Sequence, residues 1–170
     1  DKLPLHVVSG GFQGSLVEAM GAMDEAEVVF VGETHNRYED HLVQLALLRA
    51  IHRRDPAVAL GVEWFQQDVQ KHLDDYIGGV IDEAEMLHRT EYYQRWRFDY
   101  RHYRPIMEYA RTHGIPVLAL NAPARITRQI GQAGLQSLST EDRNSLPATL
   151  DRGNATYTAR IREAYDAHPD

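Results

Sequence analysis

Three short apolar runs rich in β-branched residues, at 26–32, 57–63 and 115–121, constrain the fold of this chain more than any other feature. Each is too short for a buried helix and reads as a strand covered on both faces, as in a parallel sheet. Helical patterns lie between them, the alternation of βαβ units. The first spans 37–54, where Leu42, Leu45, Ala46, Leu48 and Ile51 recur at helical spacing and Val43, Leu47 and Ala50 widen the apolar face. Asp55-Pro56 ends it, because the residue before a proline is pushed out of helical conformations. Another, over 103–113, runs into Gly114, a residue suited to a left-handed cap. The expected class is α/β, a parallel β-sheet with flanking helices.

The runs are unevenly spaced. The first two start 31 residues apart, an ordinary βαβ period, whereas the second and third start 58 apart. The surplus of roughly 27 residues falls in 65–100, where helical patches at 66–77 and 82–95 are joined by Gly78-Gly79. This segment is expected to be a small helical subdomain inserted between the second and third strands and standing apart from the sheet. Further helices are expected at 123–132 and 156–167. Three strands make a thin sheet, so the expectation for 1–170 is a single α/β domain lacking its C-terminal part.

Eighteen basic against 25 acidic residues give a net charge of −7 and no basic face for nucleic acid. The absence of cysteine removes disulfides, thiolate metal sites and cysteine nucleophiles together. No nucleotide-binding glycine loop, GxSxG or HExxH is present.

In open α/β sheets, ligands bind beyond the carboxyl ends of the strands. Those ends carry Gly32-Glu33-Thr34-His35, Glu63-Trp64 and Asn121. Glu33, His35, Glu63 and Asn121 are therefore expected in one cleft, where they could hold a divalent metal or run acid–base chemistry. A plainer account has Thr34 or Asn36 capping the next helix, with Glu33 at its positive end. The remaining histidines, His41, His52, His72, His88 and His113 among them, read as polar residues on helix surfaces.

A second constellation lies between Arg89 and Arg104. Tyr92, Tyr93, Trp96, Phe98, Tyr100 and Tyr103 alternate there with Arg95, Arg97, Arg101 and His102. Rings and guanidinium groups together suit a flat, apolar, anionic ligand. They equally suit a core patch with solvated arginines, or a dimer interface.

The run Gly32-Glu33-Thr34-His35-Asn36, followed by a helix with His41 and Gln44 and by Glu63, resembles the ChaN-type haem-binding iron-regulated lipoproteins. Tyr103-Arg104-Pro105 and Asn121-Ala122-Pro123 resemble the middle region of that family. The GExH element is shared with Tiki, TraB and erythromycin-esterase-like proteins, in which it accompanies metal-dependent hydrolysis. The resemblance implies haem as cofactor, held near a homodimer interface with tyrosine on the iron and basic groups on the propionates. It also implies an exported protein, periplasmic or membrane-anchored, whose attachment would run through an N-terminal lipid absent from this chain. Carried onto these residues, Tyr103 is the first choice for iron, since Pro105 fixes it at a helix start beside Arg104. Tyr100 and Tyr93 come next, and Arg97, Arg101 and Arg104 would meet propionates and lower the phenol pKa. His35 and Asn121 complete the expected cofactor contacts. The alternative is a metal-dependent hydrolase built on Glu33, His35 and Glu63.

Overall fold

The computed structural model describes residues 7–9, 12–14, 21, 26–149 and 153–166. Two strands, β1 (Val7–Ser9) and β2 (Phe12–Gly14), form an antiparallel hairpin ahead of the elements the sequence pattern points to. Helix α1 (Tyr38–Arg54) leads to β3 (Leu60–Gln66), and β4 (Val117–Asn121) pairs with β3 in parallel. Between them lie a 3-10 turn at Gln67–Val69, α2 (Gln70–Ile77), α3 (Glu83–Arg89), α4 (Tyr92–Arg95), a 3-10 turn at Tyr100–His102 and α5 (Arg104–His113). The class is the one expected, a parallel sheet with flanking helices. The sheet is thinner than expected.

The first apolar run accounts for the difference. Residues 26–34 form no ladder, and Val28 and Phe30 are exposed. Side chains of α1 take up its backbone groups instead: Gln44 Nε2 donates to the Val31 carbonyl at 3.2 Å, and Thr34 N–H donates to Asp40 Oδ2 at 2.9 Å. Backbone polar groups need partners, not a particular partner, and helix side chains here replace a neighbouring strand. β4 also departs from the expected two-sided burial. Val117 and Ala119 are buried while Leu118 and Leu120 face outward, the two-residue period of a strand covered on one side.

Beyond the end of β3 the inserted segment is a series of short helices joined by turns, and it packs on the sheet without standing apart. Val69, Leu73, Tyr76, Met86, Tyr92 and Tyr100 share one core with Val62, Trp64 and Phe65 of β3 and Val117 of β4. The expected helix over 82–95 is broken at Glu91, whose φ of 50° ends α3 and starts α4. Asp82 caps α3, accepting a hydrogen bond from Glu85 N–H at 2.8 Å.

Gly114 closes α5 at φ 64°, as the left-handed cap requires. A Cβ placed there would meet nothing within 4 Å, so substitution costs conformation and not packing. Gly114→Ala is expected to lower unfolding free energy by about 1–2 kcal/mol, read from urea denaturation.

Chain contacts divide into two compact units, 1–121 and 122–170. In the second, α6 (Ala124–Ala133), α7 (Thr140–Asn144) and α8 (Ala155–Asp166) are helical, and an Arg125–Asp142 ion pair at 2.5 Å ties α6 to α7. No helix among the described residues is long and apolar enough to cross a membrane.

Candidate functional site

The site is assembled on the segment that α1 holds in place. Asp40, His41 and Gln44 occupy one face of the first turns of α1 and reach back to residues 31–35. Contrary to the surface placement expected of it, His41 is 1% exposed, with Nε2 donating to the His35 carbonyl and Nδ1 facing Gln44 Oε1, both at 3.2 Å. The expected capping by Thr34 or Asn36 is not what forms: Arg37 stands at the helix start without a side-chain cap.

So held, Glu33 turns inward. Its side chain is 2% exposed and accepts from His35 Nδ1 at 2.5 Å. Glu63, about half exposed, places Oε1 4.0 Å from the same nitrogen. One ligand atom from each of Glu33, His35 and Glu63 lies within 4.8 Å of the others, close enough for a single cation. Glu33 Oε2 is buried with no hydrogen-bond partner among the described residues, and His41 Nε2 is 3.7 Å from it. An unsatisfied carboxylate oxygen is costly unless a cation or donor compensates it, so this donor set fits a divalent metal. Asn121 joins from the end of β4, its Nδ2 donating to the Glu63 carbonyl. The parallel register shifts between Val62 and Gln66, an irregularity around Glu63 of the kind that re-aims side chains beside functional sites. Glu33 and His35, from the loop ahead of α1, are thus brought together with Glu63 and Asn121 of the parallel pair.

Aromatic rings wall this cluster. The His35 ring packs on Trp96 at 4.7 Å and Phe98 at 4.5 Å between centroids. Tyr103 lies beneath, against His41 and Trp64, each at 4.5 Å. Trp96 Nε1 donates to its hydroxyl at 3.1 Å, and that hydroxyl is 3.5 Å from Glu33 Oε1. Trp96 and Phe98 were visible in sequence only as members of an aromatic run; nothing in their spacing marks contact with His35.

The phenols divide by exposure. Tyr100 and Tyr103 are fully buried, whereas Tyr93 is 54% exposed. The expected lowering of the Tyr103 pKa does not occur. Burial pushes it well above the ordinary range, the Trp96 indole offsets this in part, and the Glu33 carboxylate adds to it. Tyr100 is pushed up likewise, chiefly by burial. The arginines do not lower them, because most are committed elsewhere: Arg101 to Asp99, Arg104 to Glu83, and Arg95 to Asp68 and Glu91. The Arg101 guanidinium beside Asp99 holds that carboxyl down to about 2. Arg97 differs. It is exposed, has no ion-pair partner among the described residues, and sits at a left-handed φ of 73°.

Two carboxylates and an imidazole gathered from the loop ahead of α1 and the end of β3, flanked by aromatic rings, make the donor set of a site that could take a metal or a metal-bearing cofactor. The sequence pattern of the haem-binding uptake family ChaN, of the Tiki superfamily, matches residues 19–170, and the chain belongs to that family. That family is described as one of haem-binding uptake. The chain is also similar to Protein RETICULATA-RELATED 5, chloroplastic, of Arabidopsis thaliana, at 25% identity over 126 residues. That match takes 69% of this chain and spans 17% of the relative's length. No solved structure matches the chain.

Proposed function

We propose that the protein binds haem on the exposed flank of the 89–104 segment, with Tyr93 on the iron and Arg97 and Arg101 on the propionates. The observation that carries this is the exposure of Tyr93, the one phenol of the three candidates that an outside ligand reaches without opening the core. Its ring lies edge-on against buried Tyr92, 5.2 Å between centroids, which fixes it from behind. Arg101, on the surface and paired with Asp99, would share its guanidinium with a propionate, and exposed Arg97 has its whole fork to offer. Haem supplies a ferric iron that accepts a phenolate and a broad apolar face that rings can cover. One protomer offers one such face, so the reading includes a second copy covering the other. Tyr100 and Tyr103 then serve as packing residues.

Titration of haem into Tyr93→Phe is expected to lose the tyrosinate charge-transfer band and weaken binding by about tenfold or more, while Tyr103→Phe keeps both. Equal binding and spectra for Tyr93→Phe and the parent would overturn the assignment.

The cluster of Glu33, His35 and Glu63 favours a second reading, a metal-dependent hydrolase. Its specific support is the buried Glu33 Oε2, which has no hydrogen-bond partner among the described residues. A divalent metal there would polarise a substrate carbonyl. Glu63 is the carboxylate open to solvent and so the one able to carry a proton in or out.

A further inference from the structure

We propose a second metal site at the other ends of α1 and α5, in which His52 and His113 together bind one divalent transition ion of the imidazole-seeking kind, such as copper(II) or zinc(II). It is independent of the haem reading. His52 lies in the last turn of α1 and His113 is the last residue of α5. Their rings are 5.2 Å apart between centroids and inclined at 75°. Two imidazoles with metal–nitrogen bonds of about 2.1 Å have ring centres roughly 5.3 Å apart on a tetrahedral ion and roughly 4.5 Å apart as neighbours on a tetragonal one, so zinc(II) fits the pair as it stands and copper(II) draws it slightly closer. The pair is already at ligating separation.

The ring nitrogens are sorted as a metal would need them. His113 Nδ1 donates to the Tyr109 carbonyl at 2.8 Å, which fixes the tautomer and leaves the Nε2 lone pair unused. His52 Nδ1 is engaged by the Tyr109 hydroxyl at 3.0 Å. Neither Nε2 has a partner among the described residues. Ligating histidines characteristically anchor their second nitrogen on a carbonyl or similar group, and Tyr109 performs that service for both. Its ring also packs against His113 at 4.0 Å and His52 at 5.8 Å, holding the two imidazoles.

Charge around the pair is mixed, and it selects the ion. Two helix C-termini meet here, and the negative ends of their dipoles favour a cation. Arg49, 5.3 Å over the Tyr109 ring, opposes one. Hard cations such as magnesium depend on anionic oxygen, and no carboxylate pairs with either histidine among the described residues. Ions with strong bonds to imidazole tolerate a neighbouring guanidinium. His113 is exposed, so the remaining coordination positions open to solvent.

The test uses the full chain carrying Glu33→Gln, which silences the first cluster. Copper(II) is titrated and followed by calorimetry, by tyrosine fluorescence, and by the nitrogen hyperfine pattern in electron paramagnetic resonance. One ion per chain with a two-nitrogen pattern is expected. His113→Asn and His52→Asn are each expected to weaken binding by about tenfold or more and reduce the pattern to one nitrogen. Tyr109→Phe removes the hydroxyl that orients His52 and should weaken binding by about tenfold with both nitrogens retained. If His52→Asn does not fold, His113→Asn decides alone, since its side chain is on the surface. Parental affinity and hyperfine pattern in His113→Asn would overturn the proposal, as would absence of copper binding in the Glu33→Gln chain.

Discussion

Glu33→Gln is expected to lower manganese(II) affinity by about 100-fold or more while leaving the fold as stable as before or more so. Outer partners of a metal ligand are worth about 10–100-fold in affinity, and a direct carboxylate ligand is worth at least the upper end of that. The stability half follows from burial. Glu33 is 2% exposed, and its Oε2 has no hydrogen-bond partner among the described residues. A buried ion costs several kcal/mol unless it is fully compensated, and glutamine keeps the shape without the charge. Manganese is the right probe because it prefers carboxylate oxygen, which separates this cluster from the imidazole pair on α1 and α5. Calorimetric titration reads the affinity and thermal unfolding reads the fold. Parental manganese affinity in the variant would remove the metal reading altogether. Haem titration of the same variant separates the two functions: with Tyr93 on the iron, Glu33→Gln leaves haem affinity unchanged.

What the sequence conveys about this protein follows from which forces are local. α1 was legible to within a residue because its apolar spacing and Asp55-Pro56 are local signals, and Gly114 announced its own left-handed cap. The parallel pair was legible too, though β3 runs three residues later than its apolar run. Residues 26–34 misled because β-branched composition reports fitness for a sheet and not the presence of a neighbouring strand. Whether Val31 and Thr34 bond to a strand or to Gln44 and Asp40 is decided by tertiary contacts. The same limit applies at the site. Glu63 and Asn121 share an edge through the parallel pairing of β3 and β4, so topology was enough to gather these two. Glu33 and His35 follow no strand and are brought there by the α1 side chains that hold residues 31–35. Burial of individual rings is a three-dimensional property: Tyr93, Tyr100 and Tyr103 look alike in a run of aromatics, yet only the first is open to solvent. His41 was misplaced on the surface for the same reason, since a histidine on a helix shows nothing of the loop folded over it. Arginine pairing was equally hidden. Asp99 and Glu83 occupy Arg101 and Arg104, and sequence separation gave no sign of the second pair.

Above pH 10 the protein is expected to lose stability by up to about 4 kcal/mol per pH unit. The cause is the set of buried phenols. Tyr92, Tyr100 and Tyr103 are each at most 1% exposed, and burial is the first cause raising all three above the ordinary tyrosine range. In the unfolded chain they lose their protons near pH 10, while in the folded chain they keep them. Below pH 10 both states are protonated and the groups contribute no pH dependence. Above it the unfolded state binds fewer protons, so stability falls as pH rises, by about 1.4 kcal/mol per pH unit for each phenol. An ordinary domain stability of about 5–15 kcal/mol is then exhausted between roughly pH 11 and 14. Circular dichroism and tyrosinate absorbance, recorded on one alkaline titration, should show these phenolates appearing together with loss of structure. Ionisation of all nine tyrosines near pH 10 with the helical signal intact would contradict the burial. Tyr92→Phe sharpens the test, because its hydroxyl has no hydrogen-bond partner among the described residues. Its removal should cut the alkaline slope by about a third and leave stability at pH 7 unchanged or higher, by about 1–3 kcal/mol at most. The same burial bears on the proposed haem site: Tyr93 is open to an outside ligand, whereas Tyr103 would have to leave the core to meet one.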